Sequence, residues 1–191
     1  DVRQLLDVGG GQGGFAEAFM RQRQGRASLV EMSPAAAAIA RNKGIEVFNQ
    51  PFEQLATEHR YDCISLLDVL EHLVDPAQAL RKAHSLLRPD GYLLLSVPNV
   101  GHWSVVWDLL QGRFDYLPVG ILCETHLRFY TRPSLDSLLR QTGFGVLTWH
   151  NQTTGCPEEF DAYLNACHAS GLSIDDESLR TYSFHVLAQR Q

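Results

Sequence analysis

The sequence predicts a doubly wound α/β fold, in which helices cover both faces of a mostly parallel sheet. Three observations support this fold class. Apolar runs of strand length alternate with segments of helical spacing, two helices open with a capping residue followed by proline, and a glycine-rich turn joins the first strand to the first helix. Strands joined in this way are parallel, and each crossover is expected to be right-handed.

The first strand and the glycine turn after it organise the rest of the chain. Residues 5–14 read LLDVGGGQGG, an apolar run that ends on an acid and then holds five glycines in six residues. Glycine allows tight turns and a close approach of the backbone to a ligand. With a helix predicted over residues 15–24, the unit suits a nucleotide-like ligand at the carboxyl edge of the sheet.

The glycine pattern by itself fits two classes of ligand. Gly9, Gly11 and Gly14 have the spacing of the dinucleotide fingerprint, while Asp7, Gly9, Gly11 and Gly13 have the spacing found in proteins that bind S-adenosylmethionine. A tight connection without any ligand needs only one or two glycines. Asp7 favours the second class, because its carboxylate would attract the ammonium of a methionine moiety and repel a pyrophosphate.

The other elements are predicted in a regular order. Asp75 and Ser33 act as helix caps, each followed by a proline, and a turn is expected at residues 88–91. The last strand is expected to be antiparallel, because no clear crossover helix precedes it. The predicted strands are 5–8, 26–31, 45–48, 61–67, 92–97, 144–149 and 182–188. The later helices are 34–44, 76–87, 101–111, 132–142 and 158–169, the last within an irregular stretch at 151–179.

Composition sets limits on the class of protein. The 191 residues suit a single domain over 1–191, and the net charge of −6 and pI near 5.7 argue against a nucleic-acid partner. No apolar run reaches membrane-spanning length and no signal peptide is evident, so we expect a cytoplasmic protein. The four cysteines show no paired spacing. The first strand begins so soon after Asp1 that we expect an N-terminal helical segment to be missing.

Polar residues follow the second and fourth strands. Glu31, at the tip of the second strand, can accept hydrogen bonds from both hydroxyls of a ribose, as either an NAD or an S-adenosylmethionine site requires. Phe52 can pack on an adenine ring, or it can belong to the core of a short helix; both interpretations stay open. Asp68 to His72 follow a central strand and are expected to face the ligand crevice.

The motifs together resemble those of the class I S-adenosylmethionine-dependent methyltransferases. The resemblance rests on LLDVGGGQG, VEMSP, YDCISLLDVLEHLVDP and LLRPDGYLLLSVPN, in that order. The stretch HLRFYTRPSLDSLLRQTGF resembles bacterial small-molecule methyltransferases found among cell-envelope glycan and natural-product enzymes. The resemblance covers residues 4–188 and implies a seven-stranded Rossmann-like sheet of order 3-2-1-4-5-7-6.

The resemblance also implies roles for individual residues in binding S-adenosylmethionine. The glycine turn would surround the methionine portion, Glu31 would bind the ribose, Met32 and Phe52 would lie at the adenine, and Asp68 with Val69 would close the pocket near the sulfonium. The cofactor-binding residues are thus Asp7, Gly9, Gly10, Gly11, Gly13, Glu31, Met32, Phe52, Asp68 and Val69. Relatives usually have an aspartate where Pro51 stands here, so Gln50 or Glu53 would substitute, or that contact is absent.

Methyl transfer needs alignment of a nucleophile and exclusion of water, and it requires no metal. The acceptor is expected to be a small molecule or glycan methylated on oxygen or nitrogen, leaving S-adenosylhomocysteine. A general base would assist, and His126 is the first candidate, ahead of His72 and His102. Phe114, Tyr116 and Tyr130 are candidates for the wall of the acceptor pocket.

Two other functions remain as alternatives. An NAD-binding oxidoreductase fits the glycine spacing and Glu31, but the chain shows neither a substrate domain nor a Tyr-Lys catalytic pair. A non-catalytic module that binds S-adenosylmethionine within a larger polypeptide would also show these motifs, because fold does not determine chemistry.

Overall fold

Seven strands form one sheet in the computed structural model, which describes residues 2–191. The strand order is β3-β2-β1-β4-β5-β7-β6. The first five strands are parallel where they pair, and β7 runs antiparallel to both β5 and β6. This arrangement confirms the predicted fold class. The strands are β1 (Gln4–Val8), β2 (Arg26–Val30), β3 (Glu46–Phe48), β4 (Tyr61–Leu67), β5 (Leu87–Pro98), β6 (Phe144–Thr153) and β7 (Thr181–Arg190).

Seven α-helices and two short 3₁₀ turns connect the strands. The 3₁₀ turns, Phe52–Gln54 and Leu70–His72, follow β3 and β4 directly. Among residues 2–191, no helix is both long enough and apolar enough to cross a membrane. The helices are α1 (Gly14–Arg23), α2 (Pro34–Asn42), α3 (Pro76–Leu86), α4 (Trp103–Leu110), α5 (Arg132–Gln141), α6 (Glu158–Ala169) and α7 (Asp176–Arg180).

The alternation of side chains along the strands divides the core into two layers. On one face, Leu5 and Leu29 pack with Ala16 of α1 and Ala40 of α2. Their neighbours in sequence turn to the other face, where a larger cluster includes residues of α3 and α5. Both faces of the central strands are therefore buried, as their continuous apolar character predicts.

The predicted helix starts are present. The Ser33 hydroxyl accepts a hydrogen bond from the Ala36 amide at 3.3 Å, and the Asp75 carboxylate accepts one from the Gln78 amide at 2.9 Å. In each case proline occupies the first turn, where its missing N–H costs no hydrogen bond. These caps fix where α2 and α3 leave the carboxyl edge of the sheet.

Two regions differ from the sequence-based expectation. The predicted turn at 88–91 lies inside β5, because Leu87 pairs with Tyr61 before the register shifts and Tyr92 pairs with Cys63. The stretch predicted as irregular contains more structure than α6 alone. It includes the end of β6, whose pairing with β7 extends to Thr153, and the short helix α7.

Candidate functional site

Two cavities lie side by side at the carboxyl edge of the parallel strands. The first has a volume of about 490 Å³ and begins at the ends of β1 and β2, where Val8, Gly9, Val30 and Glu31 line it. The second has a volume of about 270 Å³ and lies at the end of β5. His72 lines both cavities. The strand ends thus form a two-part crevice whose halves meet at one histidine.

The glycine turn brings the backbone of residues 9–13 close to the first cavity. Gly9 has a φ of +70°, in the region that disfavours other residues. Gly10 lies directly over the Asp7 side chain, since a Cβ at this position would come within 2.1 Å of Asp7 Oδ2. The turn can therefore take this path only with the glycines present.

Asp7 supports this turn from below. Its side chain is 1% exposed, and the Ser65 hydroxyl donates a hydrogen bond to Oδ1 at 2.7 Å. Oδ2 has no hydrogen-bond partner among residues 2–191. Burial raises the pKa of Asp7 to about 6, although Ser65 and the Ala16 amide oppose the change. Direct contact between this carboxylate and a ligand ammonium stays a prediction, because the side chain does not line the cavity.

Glu31 does line the first cavity and also joins two loops. Its carboxylate accepts hydrogen bonds from the Gly11 amide at 3.0 Å and from the Ser33 amide at 2.7 Å. The glycine turn and the start of α2 are thereby held to the end of β2. Each carboxylate oxygen has two lone pairs, so capacity remains for hydroxyl donors from the cavity. This placement is compatible with the predicted ribose contact.

The predicted adenine-binding residues lie together on the wall of the first cavity. Phe52 is 4% exposed there, whereas Met32 is 68% exposed. Val69 lines the same wall, and a Cβ on Gly9 would lie 2.7 Å from its Cγ2 atom. Gln50 and Glu53 line the cavity as well, so both proposed substitutes for the missing aspartate are in place.

Asp68 lies in the second cavity rather than the first. Its φ is +52°, a conformation that costs a non-glycine residue about 1–2 kcal/mol. Three hydrogen bonds with Ser96 hold it: the Ser96 hydroxyl donates to Oδ1 at 2.7 Å, and the Asp68 amide donates to the Ser96 hydroxyl oxygen at 3.0 Å and to the Ser96 carbonyl at 3.2 Å. Backbone strain of this kind is frequent at functional sites.

His72 and His126 meet at the second cavity, with ring centroids 4.7 Å apart in an edge-to-face arrangement. His72 Nδ1 lies 3.0 Å from the Thr125 carbonyl, and His126 Nδ1 lies 2.9 Å from the Ile121 carbonyl. Because a carbonyl only accepts hydrogen bonds, each Nδ1 carries the proton. In the neutral imidazoles each Nε2 then has a free lone pair.

The structure does not place His102 with these two histidines. Its ring is 2% exposed, and Nδ1 accepts a hydrogen bond from the Ser104 amide at 3.3 Å, so the side chain caps α4. Nε2 lies 2.7 Å from the Thr154 hydroxyl. Burial lowers the pKa of His102 to about 4. The ring lines neither cavity, so its expected position near the acceptor is not observed.

The three aromatic candidates for the acceptor pocket also lie elsewhere. Phe114 and Tyr116 are 45% and 54% exposed and contact each other at a centroid distance of 5.7 Å. Tyr130 is buried, and burial raises the pKa of its phenol. None of these side chains lines either cavity. The loop after α4 exposes Phe114 and Tyr116 and buries Tyr130 away from both cavities, so its aromatic content did not indicate a pocket wall.

Residues of β6 and β7 line the second cavity instead. Because β7 is antiparallel, its first residues lie beside the end of β5, with Ser183 paired to Pro98 and His185 to Ser96. Neither Ser183 nor His185 was predicted from the sequence to have a functional role. The sequence signal that could have indicated this wall is the placement of two polar residues, Ser183 and His185, on one face at the start of the last strand. The lining residues besides Asp68, His72 and His126 are Glu71, Pro98, Gly120, Gln152, Tyr182, Ser183 and His185.

Glu71 is the most deeply buried carboxylate of this cavity. It is 1% exposed, and Oε2 has no hydrogen-bond partner within residues 2–191. Burial, together with the nearby charge of Asp68, raises the pKa of Glu71 to about 7. Its backbone carbonyl accepts hydrogen bonds from the Leu127 and Arg128 amides at 2.8 and 3.0 Å. These two bonds tie the segment after His126 to the 3₁₀ turn that carries His72.

The sheet order and the glycine turn under a ligand-sized cavity define a class of protein, the Rossmann-like nucleoside-binding folds. A model of the methyltransferase domain family matches residues 1–148. The chain belongs to this family, whose cofactor is S-adenosylmethionine, and the dinucleotide alternative is thereby set aside.

Known proteins agree with this assignment. The chain is 32% identical over 156 residues to the ubiquinone biosynthesis O-methyltransferase of Pseudomonas aeruginosa (strain UCBPP-PA14), a match that covers 75% of this chain and 65% of that protein. The chain thus spans less than two thirds of that curated relative.

Solved structures share the fold. A possible histamine N-methyltransferase from Thermotoga maritima has a TM-score of 0.68 at 18% identity, covering 100% of this chain and 83% of its own. The magnesium protoporphyrin IX methyltransferase of Synechocystis, crystallised with bound S-adenosylhomocysteine, has a TM-score of 0.67 at 17% identity and covers 98% and 74%.

Proposed function

We propose that this chain binds S-adenosylmethionine in the first cavity and transfers its methyl group to a small polar acceptor in the second. The observation that carries this proposal is the junction of the two cavities at His72. The residues predicted to bind the ribose and the adenine line the first cavity. The side chains that line the second cavity can bind the nucleophilic group of an acceptor by hydrogen bonding. A methyl group delivered at the junction would pass directly from one ligand to the other.

The composition of the second cavity limits the class of acceptor. Its volume of about 270 Å³ suits a small molecule or the terminal unit of a larger one. Serine, glutamine, tyrosine and histidine side chains line it, and these groups bind hydroxyls and amines by hydrogen bonding. The carboxylates of Asp68 and Glu71 disfavour an anionic acceptor. We therefore favour a neutral or cationic acceptor, methylated on oxygen or nitrogen, such as a hydroxylated small molecule or a glycan.

Methyl transfer from the sulfonium proceeds as an in-line displacement. The acceptor oxygen or nitrogen forms a bond to the methyl carbon while the carbon–sulfur bond breaks, and the electron pair of that bond remains on sulfur. The acceptor must also lose a proton, and the free Nε2 lone pair of His126 can take it. The chain otherwise aligns the two ligands and excludes water.

Substitution of Glu31 tests the location of the cofactor. In Glu31→Gln, the amide presents one acceptor oxygen in place of two charged ones, so we expect the affinity for S-adenosylhomocysteine to fall at least tenfold, about 1.4 kcal/mol. Calorimetric titration of the wild type and the variant measures this change. Glu58→Gln, an exposed glutamate outside both cavities, is the matched control. Equal affinities for the wild type and Glu31→Gln would contradict the assigned position of the ribose.

A further inference from the structure

We infer that Glu71, His72 and His126 form a binding site for one divalent transition-metal ion of the Zn²⁺ class, at the junction of the two cavities. The three side chains offer one ligand atom each, and these atoms lie within 4.8 Å of one another. Imidazole nitrogen and carboxylate oxygen are the ligands that Zn²⁺ takes in catalytic sites with three protein ligands and one open position. The site shares His72 with the first cavity, and only its consequence for catalysis rests on the proposed function.

The geometry needs only a small closure to bind an ion. Two ligands of a tetrahedral Zn²⁺ lie about 3.4 Å apart when each bond is about 2.1 Å long. The ligand atoms lie within 4.8 Å of one another, so the largest separation exceeds the tetrahedral spacing by at most about 1.4 Å. His72 is exposed, so rotation of its ring can bring the nitrogen closer without repacking the core. Glu71 and His126 are held more firmly, because the hydrogen bonds from the Leu127 and Arg128 amides tie their segments together.

The hydrogen bonds of the two histidines present the correct atoms. A metal-binding histidine usually donates its other ring N–H to a carbonyl or carboxylate, which fixes the tautomer. His72 and His126 make this contact with the carbonyls of Thr125 and Ile121. Within residues 2–191, neither Nε2 atom has a hydrogen-bond partner, and neither does Glu71 Oε2. The two neutral imidazoles can therefore each offer a lone pair, and the Glu71 carboxyl group can offer one after it loses its proton.

The charge of the cavity favours a cation. Asp68 lines it beside Glu71, while no lysine or arginine is found among the described residues that do so. A buried carboxylate without a partner is costly, and a bound cation is one of the few groups that compensates for it. The buried, unpartnered Oε2 atom of Glu71 is thus a second observation, separate from the spacing, that points to a ligand.

The open coordination position would face the acceptor. A hydroxyl bound to such an ion loses its proton more readily, as metal-bound water does. His126 would then act as a ligand, since its Nε2 lone pair is donated to the ion and is no longer available to take the acceptor proton. The hydroxyl proton would pass to solvent water, the ionised oxygen would form a bond to the methyl carbon, and the electron pair of the broken carbon–sulfur bond would remain on sulfur.

Metal titration of the chelator-treated chain, without a histidine tag, tests the site. We expect the wild type to bind about one equivalent of Co²⁺, used as a visible probe for Zn²⁺, and Glu71→Gln and His126→Gln to bind at least tenfold more weakly. Glu58→Gln and His59→Gln are the matched controls, because both residues are exposed and lie outside the cluster. Equal binding by the controls and the two cluster variants would overturn the inference, as would a wild type that binds no ion.

Titration with S-adenosylhomocysteine in the same samples separates this inference from the proposed function. Retained cofactor binding in Glu71→Gln shows that the variant is folded and attributes its loss of Co²⁺ to the site. A wild type that binds the ion but not the cofactor supports the metal site and contradicts the proposed function. A wild type that binds the cofactor but no ion contradicts the metal site alone.

Discussion

The carboxylate of Asp7 shows how one buried residue can limit stability. It is buried beneath Gly10 with one oxygen lacking a hydrogen-bond partner among the described residues. The sequence placed it correctly at the end of β1. Its burial could not be predicted, because that depends on the path of the glycine turn over it. We interpret Asp7 as a support for the turn, through which it would influence the ligand.

Asp7→Asn tests this interpretation through the pH dependence of stability. The pKa is raised from 3.8 to about 6 in the folded protein, so the folded state is favoured below the unfolded value and loses stability as the pH rises through about 6. Asparagine removes this loss. Between about pH 4 and pH 7.5, the stability of the variant relative to the wild type should improve by about 2.4 kcal/mol, because part of the full effect of about 3 kcal/mol, at 1.36 kcal/mol per pKa unit, is already lost at pH 4.

Urea unfolding at both pH values measures this difference. Asp115→Asn, in an exposed loop, is the matched control and should show no comparable change. A stability difference between Asp7→Asn and the wild type that does not vary with pH would contradict the burial of a charge at this position.

Gly10→Ala tests the fit of the turn on Asp7. The new Cβ would lie 2.1 Å from Asp7 Oδ2 and 2.6 Å from Leu29 Cδ1, so the turn must move. We expect a loss of about 1–3 kcal/mol in stability and at least tenfold in affinity for S-adenosylhomocysteine, measured by unfolding and by calorimetry. Gly14→Ala is the control, because its Cβ would meet no atom within 4 Å. A variant Gly10→Ala that behaves like Gly14→Ala would be inconsistent with this geometry.

At the scale of elements, the boundaries followed closely from local sequence signals, while the partners of side chains did not. The caps of α2 and α3 were predictable because serine or aspartate followed by proline acts within one turn. His102 shows the opposite case. Its position after β5 suggested a site at the sheet edge, but its partner Thr154 is 52 residues away in sequence. No local pattern encodes such a contact.

His102 is therefore expected to act on α4 rather than on the reaction. In His102→Ala, the helix loses its cap and the exposed Thr154 hydroxyl loses one partner, so stability should fall by about 1–2 kcal/mol, most of it from the lost cap. His102→Asn retains a capping side chain and should recover part of this loss. Thermal unfolding measures both variants. A His102→Ala protein with unchanged stability but altered pH dependence of turnover would instead support the catalytic role.

At the scale of the whole molecule, the topology creates the two-part crevice. Parallel strands bring the ends of β1, β2 and β4 to one edge, and the antiparallel β7 brings Ser183 and His185 to the same edge from the opposite end of the chain. The strand order could be predicted because four motifs occur along the chain in the order that is typical of the class I methyltransferases. The walls of the second cavity could not be predicted, since Glu71 and His185 line the same cavity only after β7 pairs with β5.

A crystal structure of the chain with S-adenosylhomocysteine tests the central claim, that the first cavity is the cofactor site, most directly. The ribose hydroxyls should lie within hydrogen-bonding distance of Glu31, and the adenine should lie beside Phe52. The sulfur should lie next to His72 and point toward the second cavity. A ligand bound elsewhere, or one whose sulfur points away from His72, would contradict the proposed path of the methyl group.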